Sequence, residues 1–106
     1  MARLLIADDS AAFRALARRL VHDQGHQVAG EAASGAEALR LAELLAPDGV
    51  LLDVHLGADD GYAVGRRLAA LARPPRVIMV SSDPDAGAGT VPKAELAARG
   101  LDGLLV

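Results

Sequence analysis

Acidic and hydroxyl side chains stand at the ends of three short apolar runs. Leu4-Leu5-Ile6-Ala7 leads into Asp8 and Asp9, Val50-Leu51-Leu52 into Asp53, and Val77-Ile78-Met79-Val80 into Ser81 and Ser82. If the runs are parallel strands, these groups gather at one edge of a sheet. Three carboxylates brought together repel one another, and each costs energy to hold ionised. A hard divalent cation such as Mg²⁺ resolves the conflict. It takes oxygen ligands at about 2.0–2.1 Å in octahedral geometry, uses a few carboxylates and keeps waters. Asp8, Asp9 and Asp53 make a fitting ligand set. A plainer reading stands beside it: Asp9-Ser10 suits a turn and helix cap, and Ser81-Ser82 the start of a turn. Asp53 is harder to explain that way, because a buried strand seldom ends in an unpaired acid.

The elements that must position these groups are legible in the hydropathy pattern. The three apolar runs lack period-2 alternation, as strands covered on both faces do. Val28-Ala29-Gly30-Glu31 is weaker and more polar, which suits an edge strand. Between the strands lie helices. Ser10 is a good N-cap, and Phe13, Leu16, Ala17, Leu20 and Val21 follow at helical spacing until Gly25. Ser34 with Glu37 reads as a capping box, and Ala38, Leu41, Ala42 and Leu45 continue one stripe up to Pro47. A third helix is expected from about Tyr62 to Ala72, with Val64, Leu68 and Leu71 inward, Arg66 and Arg67 outward, and Pro74-Pro75 as its stop. Alternation of this kind predicts an α/β fold with a doubly wound parallel sheet, whose ligands bind beyond the carboxyl ends of the strands.

Composition narrows the field further. A chain of 106 residues suits a single domain. With one Phe, one Tyr and no Trp, its core must be aliphatic. Eleven basic against 14 acidic residues give a net charge of −3, so no surface for gripping nucleic acid is expected. Arg14, Arg18 and Arg19 read as a solvated helix face. There is no cysteine, which excludes disulfides and thiolate metal sites. No apolar run approaches the roughly 20 residues of a membrane span, and no signal peptide is visible, so a cytoplasmic protein is expected.

With these pieces in order, the sequence resembles the receiver domains of bacterial two-component response regulators. LLIADDS, LLDVHLGADDG, VIMVSS and VPKAEL carry the resemblance, with Gly61 eight residues after Asp53. It implies a flavodoxin- and CheY-like strand order 2-1-3-4-5. It also implies that Asp53 accepts a phosphoryl group, and that Mg²⁺ is held by Asp8, Asp9, the Asp53 side chain and the backbone carbonyl of His55. Lys93 would then pair with one phosphoryl oxygen and Ser81 hydrogen-bond another. Such roles suit phosphoryl transfer, which needs positioning and neutralisation of charge on the equatorial oxygens. The His55 imidazole is expected to face solvent and tune loss of the phosphoryl group. His22 and His26 are expected at the surface, and Asp59 and Asp60 as turn and N-cap residues.

Two departures from the family pattern stand out. Only about ten residues, Asp83 to Pro92, separate Ser82 from Lys93, and they read DPDAGAGTVP, a poor helix former. The fourth helix is therefore expected to be missing or reduced to a turn, with either a taut loop or a vestigial fifth strand. The aromatic that receivers typically place just before the fifth strand's lysine is replaced by Thr90.

The leading reading is a single receiver domain over residues 1–106 with no output domain, and no enzyme beyond its own phosphorylation and dephosphorylation. It takes phosphate from a histidine kinase or phosphotransfer protein and signals to a downstream protein target. A homodimer through surface bared by the missing helix is a further expectation. The alternative is a receiver-like interaction module that is not phosphorylated. An Asp-nucleophile phosphatase fits less well, because the usual Asp-x-Asp after the first strand is absent.

Overall fold

The computed structural model describes residues 1–105; Val106 lies outside them. In chain order the elements are β1 (Arg3–Ala7), α1 (Ala11–Asp23), β2 (Gln27–Ala32), α2 (Gly35–Leu45) and β3 (Gly49–Asp53). They continue with β4 (His55–Leu56), β5 (Asp59–Asp60), α3 (Gly61–Ala69), β6 (Arg76–Ser81), β7 (Thr90–Pro92) and α4 (Leu96–Arg99). Five strands form one parallel sheet in the order β2-β1-β3-β6-β7. Counting only this sheet's strands, that is the expected 2-1-3-4-5. β4 and β5 form a separate antiparallel ribbon just past β3.

The contiguous apolar runs are explained by a core on each face. Leu4, Ile6, Leu51, Ile78 and Val80 pack with Ala17 and Val21 of α1 and Leu96 of α4. Leu5, Ala7, Val50 and Leu52 pack with Ala38 and Ala42 of α2 and Val64 and Leu68 of α3. Both faces of β1 and β3 are thus fully covered. Leu16, expected on the apolar stripe of α1, instead points outward and is 60% exposed.

Helix ends follow their caps. The Ser10 hydroxyl accepts from the Phe13 amide at 3.2 Å, and the Ser34 hydroxyl from the Glu37 amide at 3.2 Å. The Glu37 carboxylate reaches back to the Ala33 amide at 2.9 Å, completing the reciprocal cap one residue early. α3 stops at Ala69, three residues before the expected end. There Ala70 and Leu71 donate to carbonyls three residues back, which tightens the last turn ahead of Pro74-Pro75.

No helix connects β6 to β7. A parallel crossover usually takes a dozen or more residues, yet here the chain returns through residues 82–89 alone. The register explains how. Thr90 pairs beside Met79 and Pro92 beside Ser81, so the chain climbs back by only two rungs, about 7 Å, before pairing again. The fifth strand is short because the loop is short.

The C-terminal segment is fastened by side chains in place of a long helix. The Leu101 amide donates to Gln24 Oε1 at 2.7 Å. His26 lies between strand and tail: its Nδ1 accepts from the Ala2 amide at 2.9 Å, and its Nε2 is 2.7 Å from Asp102 Oδ1. Since Nδ1 accepts, Nε2 carries the proton and donates to Asp102. His26 is therefore not the surface residue expected from sequence but only 8% exposed, because it satisfies a backbone amide that would otherwise be orphaned. His22 is exposed, as expected.

Candidate functional site

β1 is followed directly by Asp8, wholly buried, and Asp9, exposed; β3 ends in Asp53, 6% exposed. One carboxylate oxygen from each of the three lies within 4.8 Å of the others. Lys93, first residue after β7, sends its ammonium into this group, 2.7 Å from Asp8 Oδ2 and 3.3 Å from Asp53 Oδ2. Asp8 Oδ2 is buried, and the Lys93 ammonium meets it as an ion pair. Three carboxylates countered by a single ammonium form a donor set that a hard cation would use, and the residues fit Mg²⁺.

Backbone geometry frames the acids. Asp8 Oδ1 accepts from the Ser10 amide at 2.8 Å, fixing the turn into α1. The Asp8 carbonyl accepts from Arg14 at 2.7 Å. Arg14 and Arg18 are not simply solvated, because both also form ion pairs with Glu31 of β2. Asp53 Oδ1 accepts from the His55 amide at 3.2 Å, which places the His55 peptide beside the acid while its side chain is exposed. Gly61 opens α3 against this strand end. A Cβ there would fall 2.1 Å from the Asp53 carbonyl oxygen, so only glycine lets the helix start so close.

Burial sets the electrostatics. Desolvation, with the charge of Asp8 adding, holds the Asp53 carboxyl above the usual carboxylate range, against the His55 amide and Lys93, which pull it down. Burial also disfavours the Lys93 charge, but its contacts with Asp8 and Asp53 outweigh this and hold the ammonium above its ordinary range. The site is short of positive charge.

Ser81 is buried one residue beyond Val80, which pairs with Asp53. Its hydroxyl accepts from the Asp83 amide at 3.0 Å and lines a cavity of about 520 Å³ with His55, Asp59, Asp60 and Tyr62. Asp60 caps α3 by accepting from the Tyr62 amide at 2.9 Å. Asp59 does more than turn the chain, since it accepts from the Gly35 amide at 2.8 Å and ties the ribbon to α2.

Two aromatics escaped the sequence reading. The Phe13 ring, in the first turn of α1, lies 4.3 Å from the Lys93 ammonium, a cation–π contact. The Tyr62 hydroxyl lies 3.2 Å from Thr90 Oγ1, so an aromatic from α3 touches the position where this chain lacks the family's aromatic. Helical spacing marked Phe13 only as core, and nothing local linked residue 62 to residue 90.

Comparison with known proteins agrees with this geometry. A family model described as the response regulator receiver domain matches residues 4–98. A protein-glutamate methylesterase/protein-glutamine glutaminase of Hahella chejuensis is 37% identical over 79 residues, which is 74% of this chain and 23% of that protein. The transcriptional regulatory protein PdtaR of Mycobacterium tuberculosis is 35% identical over 79 residues, 74% of this chain and 38% of that protein. The chain thus spans well under half the length of these curated relatives. Among solved structures, a CheY-like receiver domain from Methylobacillus flagellatus superposes with a TM-score of 0.82 at 25% identity, covering 97% of this chain and 94% of that one. The response regulator domain of Thermotoga maritima CheB gives a TM-score of 0.82 at 25% identity, covering 96% and 92%. No helix among the described residues is long and apolar enough to cross a membrane.

Proposed function

The chain belongs to the response regulator receiver domain family, and from that premise we propose that it is a cytoplasmic, Mg²⁺-dependent phosphoacceptor whose acceptor is Asp53. The observation that carries this reading is the partly buried Lys93 ammonium within reach of both Asp8 and Asp53, beside a carboxylate cluster short of positive charge. Asp8, Asp9, the Asp53 side chain and the His55 carbonyl would hold Mg²⁺. When bound, the ion supplies charge neutralisation for the phosphoryl oxygens.

The step assigned to the chain is simple. A carboxylate oxygen of Asp53 attacks the phosphorus of a phosphohistidine, a P–O bond forms, and the P–N bond to the donor imidazole breaks. Lys93 faces one phosphoryl oxygen. Ser81 releases the Asp83 amide and donates to another. Water later cleaves the acyl phosphate, returning phosphate and the Asp53 carboxylate. The exposed His55 side chain borders the cavity through which that water arrives. The donor would be a histidine kinase or phosphotransfer protein, and the readout a contact with a downstream protein.

The test is intact mass after incubation with Mg²⁺ and acetyl phosphate. Wild type should gain one phosphoryl group and Asp53→Asn none. No gain in wild type would leave the interaction-module reading in possession, and sustained turnover of phosphate esters far beyond one equivalent would point to a phosphatase.

A further inference from the structure

The loop that replaces a crossover helix leaves one stretch of sheet without a cover. Val77 and Met79 of β6 face the same side as α2 and α3, yet both are only partly buried, whereas Leu5, Val50 and Leu52 beside them are fully buried. Between them and α3 runs a groove of about 430 Å³ lined by Tyr62, Gly65, Ala69, Pro75, Val77 and Met79. Gly65 lowers its helix wall: a Cβ there would meet Met79 Sδ at 3.5 Å and Val77 Cγ1 at 3.7 Å. Tyr62, 47% exposed, closes one end.

Charge says what belongs there. Arg66 and Arg76 rim the groove, both exposed, and neither forms an ion pair with a carboxylate among the described residues. From Gly61 to Ser82 the chain holds four arginines, at 66, 67, 73 and 76, and no acid, although its net charge is −3. A second copy seated here about a twofold axis would set these arginines against themselves. We propose that this groove receives an amphipathic helix from a protein partner. The seated stripe is of small aliphatic residues, flanked by carboxylates that pair with Arg66 and Arg76. The partner thus supplies in trans the cover that the chain lacks in cis.

Tyr62 is the only tyrosine and there is no tryptophan, so its fluorescence reports the groove directly. The probe is a stapled helical peptide without aromatics, with Ala and Leu on one stripe and Glu on both flanks. Its control carries Lys in place of Glu. Saturable change of Tyr62 emission by the Glu peptide is expected, with the Lys peptide roughly tenfold weaker or worse. The double variant Arg66→Glu/Arg76→Glu should reverse that preference. Ala69→Arg, on the exposed side of α3, should abolish the response while phosphoryl uptake from acetyl phosphate stays normal, which separates this proposal from the phosphoacceptor reading. Four results would overturn it: no response to either peptide, equal response to both, a matching response to single-stranded RNA, or self-association that Ala69→Arg disperses. The last would assign the groove to a second copy.

Discussion

The Lys93 ammonium lies closer to Asp8, at 2.7 Å, than to Asp53, at 3.3 Å. Before any phosphoryl group arrives, this lysine occupies the charge field that a cation would fill. Cation and ammonium therefore compete for Asp8. Lys93→Met should tighten Mg²⁺ binding on the order of tenfold, equivalent to about 1.4 kcal/mol, while abolishing stable phosphorylation. Calorimetric titration reads the first effect and intact mass the second. Weaker Mg²⁺ binding in Lys93→Met would contradict the competition.

Protonation should act on the metal-free site in two separate pH ranges. Asp53, held above the ordinary 3.8 chiefly by burial, binds a proton more readily folded than unfolded. Its contribution to stability is full below that pH and is lost as pH rises through the raised folded value. Asp53→Asn should accordingly melt higher than wild type at neutral pH without metal, and the gap should close in acid. Lys93, held above 10.5, contributes stability fully below that pH and loses it as alkali passes the raised value. An alkaline melting decline that persists unchanged in Lys93→Met would break this assignment.

Gly61→Ala inverts the usual rule for helices. Alanine in a helix is ordinarily favoured over glycine by roughly 1 kcal/mol. Here the added methyl meets the Asp53 carbonyl at 2.1 Å, so helix and strand must part. A loss of about 1–3 kcal/mol is expected, read as a melting drop of roughly 4–8 °C per kcal/mol. A gain in melting temperature would show that α3 shifts freely.

Phe13 should matter for chemistry beyond its packing. A cation–π contact of this kind is worth about 0.5–2 kcal/mol, so Phe13→Leu should slow phosphoryl uptake roughly threefold to tenfold with little loss of stability. Phe13→Tyr keeps the ring and should restore the rate. If Leu and Tyr variants react alike, the ring does not position Lys93.

Much of the fold and the site is legible in the sequence. Residues at strand ends converge because parallel strands share a direction, so Asp8, Asp9 and Asp53 follow from the order of apolar runs, whereas Lys93 enters only through the family resemblance. Ser34 and Glu37 announce their helix because capping is local. The misses share the opposite character. His26 is buried by partners at residues 2 and 102, and Tyr62 touches Thr90, pairs that no window of local periodicity contains. Leu16 looked like core because spacing assigns a face but not how far a neighbouring element extends over it.

The two-rung return from Ser81 to Thr90 makes loop length and strand length a single variable in this fold. Residues cut from the connection are recovered by starting the last strand later, and the lysine at its far end keeps its place. An architecture built this way dispenses with a crossover helix and still delivers Lys93 beside Asp8 and Asp53, because the missing length comes off the start of the last strand, at the sheet edge opposite the carboxylates.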